Sequence, residues 1–298
     1  MAFSATDAAF EGFRVVRRHP LALVFWALFY AAIMVAAFAM IGPNLIGFVT
    51  ATEQLEQSGA TPTMEDFAPL FQMMGLLFVV LLPLSLIGSA MIYAAISRSV
   101  LRPGESAFGY LRLGMDEVRV LIVSLVLFLV FMVLGVFSST LVGTVIGMTV
   151  AMELPALWLG VVLLILAAIG LFVWLSVRLS FAIPITMTER RIAIFDSYAV
   201  TRGQIWPLLG MALLAWVMSM VVGLLGSLIA LPLRMVTGGG MTALEGLEDE
   251  SLQVILQSAW PAIAAWILIN AVMSALQVAV VYAPFSAAYR DMKGITFG

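Results

Sequence analysis

Cysteine is absent from this 298-residue chain, histidine occurs once, and Asp, Glu, Lys and Arg together supply 10% of the residues. The first absence excludes disulfides, thiolate zinc sites, Fe–S clusters and palmitoyl or prenyl anchors. The second leaves His19 as the single imidazole, and it stands beside Pro20 at the mouth of an apolar run. No HExxH, GxSxG, Walker or dinucleotide fingerprint occurs. Gly238-Gly239-Gly240 has no strand before it and reads as a turn rather than a phosphate cradle. The expectation is therefore no catalytic residue, no metal site, no cofactor and no enzymatic activity. The scarcity of charge is the most informative lack. Soluble domains carry about a quarter charged residues. This chain is 63% hydrophobic, with a mean hydropathy of +1.12, so lipid is the solvent for most of it.

Charge-free windows mark where the chain crosses. They run over residues 20–52, 67–97, 120–152, 154–177, 203–233 and 251–289. Each exceeds the ~20 residues a helix needs to span ~30 Å of hydrocarbon. Trimmed to that need, the spans are 21–41, 71–96, 120–146, 156–178, 207–231 and 260–284, with loops or interfacial turns at their ends. Prolines 20, 43, 69, 155, 184, 207, 232, 261 and 284 lie near those edges, where proline is tolerated. Pro83 falls inside the second span and predicts a kink. Ala37-Phe38-Ala39 has the small-x-small form of a signal-peptide cleavage site, but the long preceding segment with Asp7 and Glu11 favours an uncleaved first span.

Arginine sets the orientation. With both termini cytoplasmic, thirteen of the fourteen Lys and Arg residues fall inside and only Arg234 outside. This is a strong positive-inside asymmetry. Nine acids, among them Glu53, Glu65, Glu153 and Glu248, gather on the other side. The expected location is the plasma (inner) membrane of a bacterium, multi-pass, with cytoplasmic termini.

The fold class predicted is all-α: a six-transmembrane-helix bundle built from three helical hairpins in one integral membrane domain, residues 1–298. Each hairpin is preceded by an inner segment with the marks of an interfacial amphipathic helix. In Thr6–Pro20, Asp7, Glu11, Arg14 and Arg18 share one face, while Ala9, Phe10, Phe13 and Val16 share another. Ser4 stands where it could cap the helix. In Gly104–Leu121, Glu105, Arg112, Asp116 and Arg119 align opposite Phe108, Leu111, Met115 and Val118. The third segment, Glu189–Trp216, repeats the aromatic pair as Phe195 and Tyr198. Tyr93-Ala94 and Tyr282-Ala283 echo one another at two span exits. A threefold same-direction repeat over 4–97, 104–178 and 189–290 is one reading. The other is that any positive-inside hairpin needs inner arginines and interfacial aromatics. Thr63-Met64-Glu65-Asp66 and the acidic run of residues 246–257 predict two short helices on the outer surface.

The stretch Arg178–Gly210, with Arg178, Pro184, Glu189, Ser197 and Arg202-Gly203 ahead of Trp206, resembles a segment of the membrane domain fused to some bacterial glycerophosphodiester phosphodiesterases, and of uncharacterised inner-membrane proteins similar to it. The resemblance covers about thirty-five residues and otherwise only the topology. It implies a membrane fold. In that family the hydrolase activity belongs to a separate soluble domain, so the resemblance carries over no activity.

Two sets of side chains are candidates for function. Guanidinium binds phosphate through paired hydrogen bonds, which ammonium cannot do, and thirteen of the fourteen cations are arginine. Arg98, Arg112, Arg178, Glu189 and Arg202 are thus candidates for lipid-headgroup binding, with Glu189 orienting an arginine toward phosphate. GC-rich coding is the bland account of the same bias. The second set is a polar intramembrane stripe: Ser85, Ser89 and Tyr93 in the second span, Asn270, Ser274 and Gln277 in the sixth. Packing by interhelical hydrogen bonds and a polar path are both open readings. Pairs Gly143/Gly147 and Ser85/Ser89 have the small-xxx-small form that lets helices approach. The function expected is a non-enzymatic polytopic membrane protein that interacts with lipid or serves as a membrane scaffold or accessory protein. The alternative is a transporter of a lipid or small neutral solute. Expected partners are membrane lipids, and either a protein partner or a second copy of the chain; nucleic acid is not expected.

Overall fold

The computed structural model describes residues 4–58, 67–152, 157–236 and 252–295. Among the described residues all regular structure is helical. Six helices are long and apolar enough to cross a membrane, one in each of the six charge-free windows. The chain opens with α1 (Ala5–Ala9) and α2 (Glu11–Arg18), which precede α3 (Pro20–Ser58). Next come α4 (Ala68–Leu101), α5 (Met115–Ala151) and α6 (Leu157–Leu179). Short α7 (Ala182–Glu189) and α8 (Asp196–Val200) lead into α9 (Ile205–Val236) and α10 (Leu252–Lys293).

The helix ends differ from the sequence expectation. Pro43, Pro232, Pro261 and Pro284 lie inside helices rather than at their edges. A backbone in or near lipid has no water to satisfy its N–H and C=O groups, so it stays helical past the point where hydropathy falls. The 42 residues of α10 extend about 63 Å, twice the hydrocarbon thickness. The residues Leu252–Gln257, expected as part of a separate surface helix, are the first turns of α10; the rest of that acidic segment and Thr63–Asp66 lie outside the described residues. Pro83 does perturb its helix: a π-helical turn, Leu77–Leu81, precedes it in α4. The wider turn accommodates a residue that cannot donate to the carbonyl four positions back.

Helix α10 is the hub, packing on α3, α9, α4 and α2. Its buried face is Ala271, Ala275, Ala279, Ala283 and Ala287, one alanine per turn and all fully enclosed. Such a stripe lets neighbouring backbones come close, which is how helices gain packing where lipid offers no hydrophobic drive. At the crossing with α4, the echoing exits meet. The rings of Tyr93 and Tyr282 stack with centroids 4.0 Å apart, and the hydroxyls of Ser97 and Ser286 lie 3.1 Å apart. The α5–α6 pair is peripheral and presents exposed Leu, Val and Phe along its length. Among the described residues Gly143 and Gly147 meet no neighbour, so that pair brings no described helices together.

The three segments expected to precede hairpins take three different shapes. The first is helical. Ser4 caps α1, its hydroxyl accepting from the Asp7 amide at 3.3 Å, and Arg14 pairs with Asp7 and Glu11. Its apolar face, however, is covered by protein: Ala8, Ala9, Gly12 and Val15 are buried, and α1 and α2 pack on α9 and α10. Phe10 sits at the break between α1 and α2 and is exposed. The second segment is not one amphipathic helix. Pro103 and Gly104 end the preceding helix, and residues Phe108, Gly109 and Tyr110 take left-handed φ values of 51°, 66° and 66°. A regular helix begins only at Met115 and runs straight into the span. Left-handed backbone is costly outside glycine, and here long-range contacts hold it: Trp26 Nε1 donates to the Gly109 carbonyl at 2.7 Å, and Arg98 to that of Tyr110 at 2.5 Å. The third segment breaks at Arg190, also left-handed, between α7 and α8.

Candidate functional site

At the arginine-rich end of the bundle the end of α4, the connection after it, the start of α5 and the end of α7 come together. Helix α4 delivers Arg98 and Arg102 in its last turn and at its cap. The strained connection supplies Glu105 and Arg112, and the first turns of α5 supply Asp116, Glu117 and Arg119. Arg190 approaches from the end of α7. Together they line an open pocket of about 420 Å³.

Burial is graded through the pocket. At its floor Arg98 is 2% exposed and its Nη2 donates to Glu117 Oε1 at 2.5 Å. The other Glu117 oxygen accepts the Gly114 amide at 3.0 Å, which also caps α5. Desolvating such a pair is costly, so both partners must be satisfied. They nearly are: among the described residues only Arg98 Nε of the pair lacks a hydrogen bond, with Glu105 Oε2 3.8 Å away. Halfway up, Asp116 is shared by Arg102 at 3.0 Å and Arg119 at 2.8 Å. At the rim, Arg112 pairs with Glu105 at 2.9 Å, and Arg190 has no ion pair among the described residues. Five guanidinium groups thus face three carboxylates, leaving two positive charges. The N-terminal end of α5 adds a partial charge of the same sign.

Of the five residues singled out for headgroup binding, the structure brings Arg98 and Arg112 into this pocket. The other three lie elsewhere. Arg178 is buried against aromatic faces, its Cζ 4.4 Å from the Tyr198 ring centroid and 5.7 Å from that of Trp174. Among the described residues its only side-chain hydrogen-bond partners are the Tyr198 carbonyl at 3.4 Å and the Thr201 hydroxyl at 3.5 Å, both long. Ser197 completes this knot by donating to the Arg178 carbonyl at 2.7 Å and accepting the Phe181 amide at 3.0 Å. Arg178 and Ser197 therefore fasten the exit of α6 to α8. Glu189 pairs with Arg191 at 2.6 Å, and Arg202 is exposed with no ion pair among the described residues.

The pocket arginines that the sequence did not assign to headgroup binding are Arg102, Arg119 and Arg190. The Asp116/Arg119 spacing was a visible signal, but Arg102 acts through two long-range partners, Asp116 and the Met187 carbonyl, which no local pattern encodes.

The polar stripe is mostly turned onto its own helices. Ser85 donates to the Leu82 carbonyl, Ser89 to that of Leu86 and Asn270 to that of Trp266. Gln277 reaches across to the Ser219 carbonyl on α9 at 3.3 Å, Tyr93 stacks on Tyr282, and Ser274 is half-buried.

Fold and pocket define the class: a six-span helical membrane protein with a cationic pocket at one end of the bundle. No family model matches the chain, and neither a curated protein nor a solved structure matches it.

Proposed function

We propose that the chain is a non-enzymatic integral membrane protein that holds an anionic lipid headgroup in the arginine pocket. The observation that carries this reading is the charge balance of the pocket, two positive charges in excess at the end of a bundle whose flanks are apolar. Arginine supplies every cation there, and its planar fork matches phosphate oxygens in pairs. In this reading the arginine-rich end faces the cytoplasm of a bacterial inner membrane, as the positive-inside asymmetry requires. The exposed Arg17 and Arg18 of α2, together with Arg202, face the same headgroup layer.

The test is stabilisation by added lipid. A ligand that binds only the folded state at a hundred times its Kd stabilises by about 2.7 kcal/mol. Delipidated protein in detergent is therefore expected to melt several degrees higher with an anionic phospholipid than with zwitterionic phosphatidylcholine. The double variant R112Q/R190N removes the two excess charges from the rim and is expected to lose that difference. Asparagine is chosen at position 190 because it tolerates the left-handed backbone there. Equal melting in both lipids contradicts the proposal.

A further inference from the structure

The pocket has a chemical specificity beyond a general liking for anions, and this step rests on the lipid-binding reading above. We infer that it selects a phosphomonoester headgroup, the dianion, over a phosphodiester. Three observations lead there. The five arginines and three carboxylates leave a surplus of two charges. A terminal phosphate carries −1.5 to −2 near neutral pH, with its second pKa about 6, and offers three strong acceptor oxygens. A diester carries one charge and two such oxygens. Second, donors remain for the extra oxygen. Arg98 Nε–H is buried at the floor with no hydrogen bond among the described residues, its ion-pair partner Glu105 Oε2 being 3.8 Å away, Arg190 at the rim has no ion pair among the described residues, and Asp116 is already divided between two arginines. Third, the apolar surroundings favour a lipid over soluble phosphate. Leu113 and Met115 line the same pocket yet are 88% and 66% exposed, and Phe108 on the same connection is also exposed. Large side chains in that state at the end of a membrane bundle provide a surface for acyl chains next to the charge.

A phosphomonoester site has a pH signature. Below its second pKa the ligand loses the charge that the surplus matches. Between pH 7.5 and 5.5 the dianion falls from nearly all to about a quarter of the ligand, so apparent affinity is expected to fall about three- to fourfold. A phosphodiester keeps its single charge over that range. It therefore reports any titration of the protein itself, whether at Glu105, Asp116 or Glu117 in the pocket or at His19, which touches the connection through the Tyr110 hydroxyl.

The experiment is a titration of the delipidated full chain, followed by native mass spectrometry, with phosphatidic acid, phosphatidylglycerol and inorganic phosphate as separate probes at both pH values. The expected result is about a tenfold preference for phosphatidic acid over phosphatidylglycerol at pH 7.5, the worth of one added charge-assisted hydrogen bond. That preference is expected to shrink three- to fourfold at pH 5.5 and to vanish in R112Q/R190N. Equal retention of the two lipids at pH 7.5 overturns the phosphomonoester assignment while leaving the lipid-binding reading in place. Inorganic phosphate bound as tightly as phosphatidic acid overturns the lipid source. Retention of neither lipid overturns both this inference and the reading it rests on.

Discussion

Gly12 offers a sharp test of how the N-terminal helices sit. A Cβ added there would lie 2.5 Å from Val280 Cα, 2.6 Å from the Ala279 carbonyl oxygen and 2.8 Å from its carbon. All three atoms belong to the backbone of α10, so no rotamer change relieves the clash. Ordinary contact needs about 3.4 Å or more, so α2 must retreat by roughly 1 Å. That lifts Ala8, Ala9 and Val15 from their seats and stretches the 3.5 Å pair between Glu11 and Arg290. Overpacking of this kind costs about 1–3 kcal/mol, and the better helix propensity of alanine returns roughly 0.5–1 kcal/mol. Gly12→Val, bulkier and without alanine's propensity, keeps most of the cost. A shift of 1–3 kcal/mol multiplies the undocked population by about 5 to 150. The chain has no cysteine, so Val15→Cys reports alone, its thiol shielded until α2 opens. Maleimide labelling of Val15→Cys is expected to accelerate 5- to 150-fold on adding Gly12→Val, and less on adding Gly12→Ala. A thiol introduced at exposed Phe10 should be unaffected. Labelling as slow with valine as with glycine would show that α2 is not seated on α10, and the geometric reasoning would fail.

Three further outcomes follow from packing. Removing one partner of the buried Arg98–Glu117 pair is expected to destabilise by about 3–5 kcal/mol, whereas the double variant Arg98→Met/Glu117→Leu should cost less than the two singles together; additive thermal shifts in detergent would contradict the pairing. Ala275→Leu places a large side chain in the fully buried alanine stripe and should cost about 1–3 kcal/mol, while the same change at exposed Gly143 should be near neutral by the same melting assay. Ser197→Ala strips both hydrogen bonds from the exit of α6 and should cost about 1–3 kcal/mol; an unchanged melting temperature would mean the knot around Arg178 does not need its hydroxyl.

The spans were legible because charge is expensive in lipid, and each charge-free window from Pro20 to Tyr289 holds one long helix. Helix ends were less so. Pro261 and Pro284 resemble punctuation in a soluble chain, yet both lie within α10, because neighbouring helices and lipid leave the backbone no alternative bonding. The amphipathic spacing around Glu105, Arg112, Asp116 and Arg119 grouped residues that do meet, but for a different reason. Glu105 and Arg112 reach one another across a left-handed connection, and only Asp116 and Arg119 share a helix. That connection depends on Trp26 and Arg98, 83 and 12 residues from their respective partners, and periodicity carries no information at such range. The alanine stripe of α10 was not read from the sequence: alanine is common in apolar chains, and only the neighbours reveal which alanines are enclosed.

The most direct measurement is the lipid that the protein brings with it. The full chain, extracted gently from its own membrane, would be weighed intact by native mass spectrometry beside R112Q/R190N prepared identically. An anionic lipid bound at a fixed ratio to the unaltered chain, and absent from the variant, is the result predicted by a headgroup pocket walled by Arg98, Arg102, Arg112, Arg119 and Arg190. No bound lipid on the unaltered chain, or the same lipid retained by both, would contradict it.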